Sequence, residues 1–177
     1  HKRTWKSDWK TKSAYVIIVE QEMKLHTNFS LHEFIPQELY SRVEKQEVSE
    51  FVASGLINPL VYQFIFQFRE LIGKSIRIND WMYGGEFSNR GYRLPSWGGD
   101  KNLSQHKNGN AIDFDTPNAY TPQELRKIIV DNQDKWPFLS FIEVDINWVH
   151  VDFRYTQNGG IIFWSPTRGT VEYTKGI

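Results

Sequence analysis

Trp148-Val-His150-Val-Asp152-Phe153 alternates strictly, and its reading decides the fold. In an extended strand successive side chains point to opposite faces, so Val149, Val151 and Phe153 form an apolar face while Trp148, His150 and Asp152 take the other. One face is built for a core and the other for chemistry. Ala111-Ile-Asp113-Phe114 repeats the pattern, with Ile112 and Phe114 opposed to Asp113 and Asp115. Short β-branched or aromatic runs at 14–19, 75–78, 139–143 and 161–163 predict further strands.

Helix signals lie between them. Ser30 and Glu33 have capping-box spacing, with Phe29 and Phe34 placed as a hydrophobic staple, which predicts a helix start. Asn58-Pro59 opens a second helix whose apolar face is Val61, Phe64, Ile65, Phe68, Leu71 and Ile72, and Gly73 closes it. The aromatic stripe Phe64, Phe66 and Phe68 is core at that spacing. Thr121-Pro122-Gln-Glu124 starts a third helix running to about Lys135. Helices followed by strands mixed with one helix predict an α+β single domain, a central mostly antiparallel sheet with helices packed on one side. Residues 1–13, polar and lysine-rich with Trp5 and Trp9, read as an N-terminal arm ahead of a domain spanning 14–177.

At 177 residues and 40% hydrophobic content the chain can bury one core and is short for two. Lys and Arg together number 21, as do Asp and Glu, so no global field favours nucleic acid or an anionic membrane. No apolar run approaches a membrane span, and no leader opens the chain. Beginning at His1, the chain reads as a processed or trimmed piece of something longer. With no cysteine a disulfide framework is excluded, and the compartment stays open.

Two imidazoles and one carboxylate are the set zinc enzymes use when a fourth position must stay open for water. His106, Asp113 and His150 supply that set, with Gly109 letting the 104–111 loop fold back toward the sheet. The competing reading keeps His106 as a loop histidine, Asp113 as a cap and His150 as a satisfied half-buried strand residue. His26 and His32 have no partner at ligand spacing and read as surface histidines.

Ser104-x-His106-x-x-Gly109-x-Ala111-x-Asp113, Gly91-Tyr92-Arg93, Trp148-Val-His150-Val-Asp152 and Asn28-Phe-Ser-Leu-His-Glu-Phe34 together resemble the zinc D-alanyl-D-alanine peptidases. That superfamily holds D,D-carboxypeptidases, phage endolysin peptidases and vancomycin-resistance dipeptidases, and hedgehog domains share its fold. The resemblance covers roughly residues 28–155. It implies a hedgehog-like or D,D-peptidase-like fold and one zinc held by His106, Asp113 and His150. Arg93 takes the place of the family arginine near the substrate carbonyl, with a structural ion pair as its other reading. The implied activity is hydrolysis of peptidoglycan stems or crosslinks at D,D- or L,D-bonds, in a phage virion or lysis context or in the bacterial periplasm or exterior. Many relatives carry Glu or Asp three residues before the last histidine, where this chain has Asn147, which cannot accept a proton. Glu143 and Asp145 are the substitutes, Glu143 preferred, and Asp152 is expected to buttress a ligand histidine or Arg93. The departure keeps open a weak or inactive zinc-containing cell-wall-binding module, or a virion structural module docked through the arm to other virion or tail proteins. Trp81, Tyr83, Tyr92, Trp97 and Trp148 are candidate cleft residues, with Gly84-Gly85 and Gly98-Gly99 as a rim over the site.

Overall fold

Asn58 caps the longest helix through its side chain, which accepts from the Leu60 amide at 2.9 Å, and Pro59 occupies the first turn, where its missing N–H costs nothing. This helix, Pro59–Ile72, ends at Gly73 with φ +59°. In the computed structural model, which describes residues 28–98, 104–156 and 159–172, it is the third of four helices. α1 spans Gln37–Glu44, α2 Glu50–Ser54, α3 Pro59–Ile72 and α4 Pro122–Asp131. Five strands follow the same order of appearance: β1 Ala111–Phe114, β2 Phe141–Glu143, β3 Val149–Asp152, β4 Ile162–Ser165 and β5 Gly169–Val171. They form one sheet in the order β1-β3-β2-β4-β5, antiparallel except for β2 beside β4. The expected α+β class with a mostly antiparallel sheet is therefore the class observed. The described residues from Leu31 onward belong to one compact unit. The arm 1–13, the boundary after it, the strand expected at 14–19, His26 and Gly99 lie outside the described residues.

The register places the Asp113, His150 and Glu143 side chains and the apolar core on opposite faces. Asp113 pairs with His150, which pairs on its other side with Glu143; Ile112 pairs with Val151, and Val151 with Ile142. α3 covers the apolar face. Phe64 and Phe68, fully buried, stack 5.5 Å apart and meet Phe114 at 6.2 and 5.6 Å. Trp136 closes the cluster edge-on at 5.1 Å from Phe64, and its indole N–H donates to Gln67 at 3.0 Å. Burying each such ring contributes about 2–3 kcal/mol, so this aromatic block anchors the sheet to α3.

Several expectations are corrected. The helix start at Ser30 yields only a 3₁₀ turn, Leu31–Glu33, because Pro36 follows and biases its predecessor away from helical geometry. Segment 75–78 contributes a single bridge, Arg77 to Asp115, instead of a strand: Asn79 N–H donates to Glu33 and Asp80 N–H to Phe87, which turns the chain away. The helix opened by Thr121 starts with a capping box formed with Glu124 but stops at Asp131, with a 3₁₀ turn at Gln133–Lys135. Leu71 is exposed, leaving Phe64, Ile65, Phe68, Val61 and Ile72 as the buried face of α3; Phe66 is only half-buried. His32 is no surface histidine: it is buried, edge-on to Tyr40, Trp81 and Tyr83. Among the described residues no helix is long and apolar enough to cross a membrane.

Candidate metal centre

Neighbouring strands bring Asp113 and His150 face to face, and the loop leading into β1 returns His106 to them. That loop folds tightly: Gly109 has φ +69°, its carbonyl accepts from Asn58 N–H at 3.0 Å, and a Cβ at this position would lie 1.9 Å from the Leu56 carbonyl oxygen. Only glycine fits so close to another backbone. The result is a buried cluster of three groups, His106, Asp113 and His150, with ligand atoms all within 4.8 Å of one another.

Hydrogen bonding sets which atoms face the centre. His106 Nδ1 lies 2.8 Å from the Gly91 carbonyl oxygen, which can only accept, so Nδ1 carries the proton and Nε2 presents its lone pair inward. His150 Nε2 lies 3.4 Å from Asp152 Oδ2, which directs the proton of a neutral ring there and turns Nδ1 inward. The two inward nitrogens are 3.2 Å apart, and His106 Nε2 is 3.3 Å from Asp113 Oδ2. A tetrahedral site with bonds of about 2.05 Å has edges of about 3.3 Å, so these two separations match a zinc site. The third, His150 Nδ1 to Asp113 Oδ1 at 2.6 Å, is shorter than such an edge and is a hydrogen bond donated by the imidazolium form of His150, whose Nδ1 proton a metal ion would replace. Two imidazole nitrogens and a carboxylate that converge in a buried cluster could hold a metal ion, and the donor types are ones that zinc accepts.

The electrostatics agree. Burial would raise the Asp113 carboxyl, but His106 and His150 hold it far below the usual carboxylate range. Burial would lower His150, yet Asp113 and Asp152 push it up to about 9. The cluster draws positive charge. Arg93 donates from Nη2 to Asp113 Oδ2 at 2.9 Å and from Nε to the Asn89 carbonyl at 2.6 Å, with its guanidinium 4.8 Å from the Trp97 ring centre.

The cluster lies in a cleft of about 540 Å³, large enough for a peptide. Glu143 lines it, half-buried, with its carboxyl raised mainly by that burial and then by Asp113. Asp145 does not line it. Asp145 is exposed, adopts φ +62°, and accepts from Arg168 Nη2 and Nε at 2.8 and 3.0 Å. Asn147 is exposed and also outside the cleft. Asp152 contacts His150 and Arg154, not Arg93. Of the five aromatic candidates only Trp148 lines this cleft, which Phe141 and Trp164 share; Trp97 lines a second pocket, and Gly85 packs against Asp80 while Gly84 N–H donates to the Trp81 carbonyl.

Two arginines escaped the sequence reading. Arg126, buried on α4, donates from Nε to the Glu143 carbonyl at 2.9 Å and from Nη2 to the Ile146 and Trp148 carbonyls at 2.8 and 2.6 Å, clamping the β2–β3 connection between Glu143 and His150. Its signal was a cation beside Leu125 on the apolar stripe of a helix. Arg154 extends the period-two face of His150 and Asp152. Comparison of the chain with protein-family models, curated proteins and solved structures finds no match.

Proposed function

We propose that this chain is a zinc-dependent peptidase that cleaves peptide bonds of peptidoglycan stems or crosslinks, of D,D- or L,D-type. The observation that carries this reading is the convergence of His106 Nε2, Asp113 and His150 Nδ1 on the floor of an open cleft that also holds Glu143. Zinc bound there would polarise the scissile carbonyl and bring the pKa of a bound water to about 7. Glu143 serves as general base. Its carboxyl stands one strand from His150, and burial keeps it a better proton acceptor than a solvated glutamate. It takes a proton from the water whose oxygen bonds to the acyl carbon, and it returns that proton to the amine nitrogen as the C–N bond breaks. Arg93 orients Asp113, and Asp152 holds His150 in the tautomer that offers Nδ1. The peptidoglycan substrate rests on the motif resemblance, and the aromatic walls Phe141, Trp148 and Trp164 give a surface on which a peptide can lie.

The test is zinc content by elemental mass spectrometry, paired in one preparation with release of amino groups from digested peptidoglycan. One zinc per chain with release is expected, and Glu143→Gln keeps the zinc while abolishing release. Release unchanged in that variant moves the base elsewhere. Zinc without release favours the wall-binding module, and its absence removes the metal assignment.

A further inference from the structure

Arg154 borders the same cleft, two positions beyond Asp152 and four beyond His150 on one alternating face. Its guanidinium is fixed from two sides. Nε donates to Asp152 Oδ1 at 2.8 Å and Nη2 to Asp152 Oδ2, while the plane lies 3.7 Å over the Phe141 ring. The backbone N–H of Arg154 also donates to Asp152 Oδ1 at 3.2 Å. These contacts use the Nε and Nη2 edge. Nη1, with two N–H donors, makes no hydrogen bond among the described residues, on a side chain 37% exposed to solvent.

An arginine anchored on one edge and over an aromatic ring, with its other donors free in a cleft, is preorganised for an oxyanion; the entropy of holding it is already lost in the free protein. Asp152 neutralises part of its charge, which suits a single carboxylate better than a polyanion. We propose that Arg154 binds a carboxylate of the peptide and so determines specificity, placing a negatively charged residue beside the metal cluster. The inference rests on the peptide-binding reading of this cleft. The carboxylate is either the free C-terminus of the peptide, which makes the protein an exopeptidase, or a side-chain carboxylate of a diamino acid within a crosslink.

Three acetylated peptides separate these sources: lysyl-D-alanyl-D-alanine with a free C-terminus, its C-terminal amide, and the same amide with meso-diaminopimelate in place of lysine. Binding is measured calorimetrically to zinc-loaded Glu143→Gln protein, so turnover does not intervene. One carboxylate-bearing peptide is expected to bind about 10- to 100-fold tighter than the lysyl amide, the range of a charge-assisted hydrogen bond. Arg154→Gln removes that preference without changing affinity for the lysyl amide or zinc content, and Arg154→Lys restores part of it. Equal weakening of all three peptides by Arg154→Gln assigns the residue a structural role through Asp152 and overturns the proposal. So does the absence of any carboxylate preference, or of any peptide binding. Wild-type hydrolysis of the amide with no carboxylate preference sinks this inference alone. An Arg154-dependent preference in a protein that hydrolyses nothing sinks the peptidase reading and leaves this one standing.

Discussion

Gly109→Ala tests whether the close approach that places His106 has the energetic weight its geometry implies. At φ +69° an alanine carries a left-handed penalty of about 1 kcal/mol. Its Cβ would also stand 1.9 Å from the Leu56 carbonyl oxygen and 3.0 Å from the Leu56 carbonyl carbon, both backbone atoms. Ordinary contact begins at 3.4 Å, so one segment must move by roughly 1.5 Å. Such a shift breaks the bond from Asn58 N–H to the Gly109 carbonyl, adding about 1 kcal/mol to the roughly 1–3 kcal/mol of overpacking. The expected loss is about 3–5 kcal/mol. Gly73→Ala is the control: φ is +59°, but nothing lies within 4 Å of its added Cβ, and about 1 kcal/mol is expected. The assay is urea unfolding followed by tryptophan fluorescence for both variants, with zinc content measured alongside. Zinc should fall in Gly109→Ala, whose loop carries His106, and stay unchanged in Gly73→Ala. Equal unfolding free energies for the two variants would refute the contact argument.

Three further outcomes are expected. Asp115 accepts from Arg77 at 2.8 and 2.9 Å and from Arg90 at 2.8 Å; burial would raise its carboxyl, but these hydrogen bonds hold it below its model-peptide value of 3.8. A depressed folded value means stability present above 3.8 and lost as pH falls through the folded pKa, so Asp115→Asn should cost about 2–3 kcal/mol at pH 7 and progressively less below pH 4 in urea titrations. A difference that does not shrink in acid would count against these ion pairs. Arg126→Met leaves three carbonyls without their donor and should cost about 2–4 kcal/mol by chemical unfolding, with zinc retained and peptidoglycan cleavage reduced; unaltered stability would show that the clamp is idle. Zinc at about 100 times its dissociation constant should stabilise the wild type by about 2.7 kcal/mol, raising its melting temperature by several degrees, and His150→Ala should abolish that rise. A rise surviving in His150→Ala would place the metal elsewhere.

The sheet gives these perturbations a common logic. β3 lies between β1 and β2, so His150 is flanked by Asp113 on one side and Glu143 on the other, and anything that shifts β3 shifts all three. Arg126 grips the connection at one end of β3, and Asp152 meets His150 within it. The polar face is thus braced by the Arg126 guanidinium while α3 supports the apolar face with Phe64 and Phe68.

Alternation in 148–153, the Asn58-Pro59 and Thr121-Pro122 helix starts and the Gly73 stop were legible because each is a contact between residues two to four apart, where chain geometry alone dictates who meets whom. The donor types at 106, 113 and 150 could be named from the strand alternation and the loop, but their grouping as one candidate metal site rested on the motif resemblance. What the tertiary structure alone decided involves partners far apart in the chain. Strand register puts Glu143 in the cleft and leaves Asp145 paired with Arg168 outside it; two positions along a turn give no local signal for that choice. His32 is buried because Tyr40, Trp81 and Tyr83 converge on it, and Arg126 finds its carbonyls seventeen to twenty-two residues downstream. Sequence determined which faces are apolar and which atoms could bind a metal. Packing between distant segments determined which of those atoms meet, because the free energy that aligns β1, β3 and β2 comes from burying Ile112, Val151 and Ile142 on the opposite face.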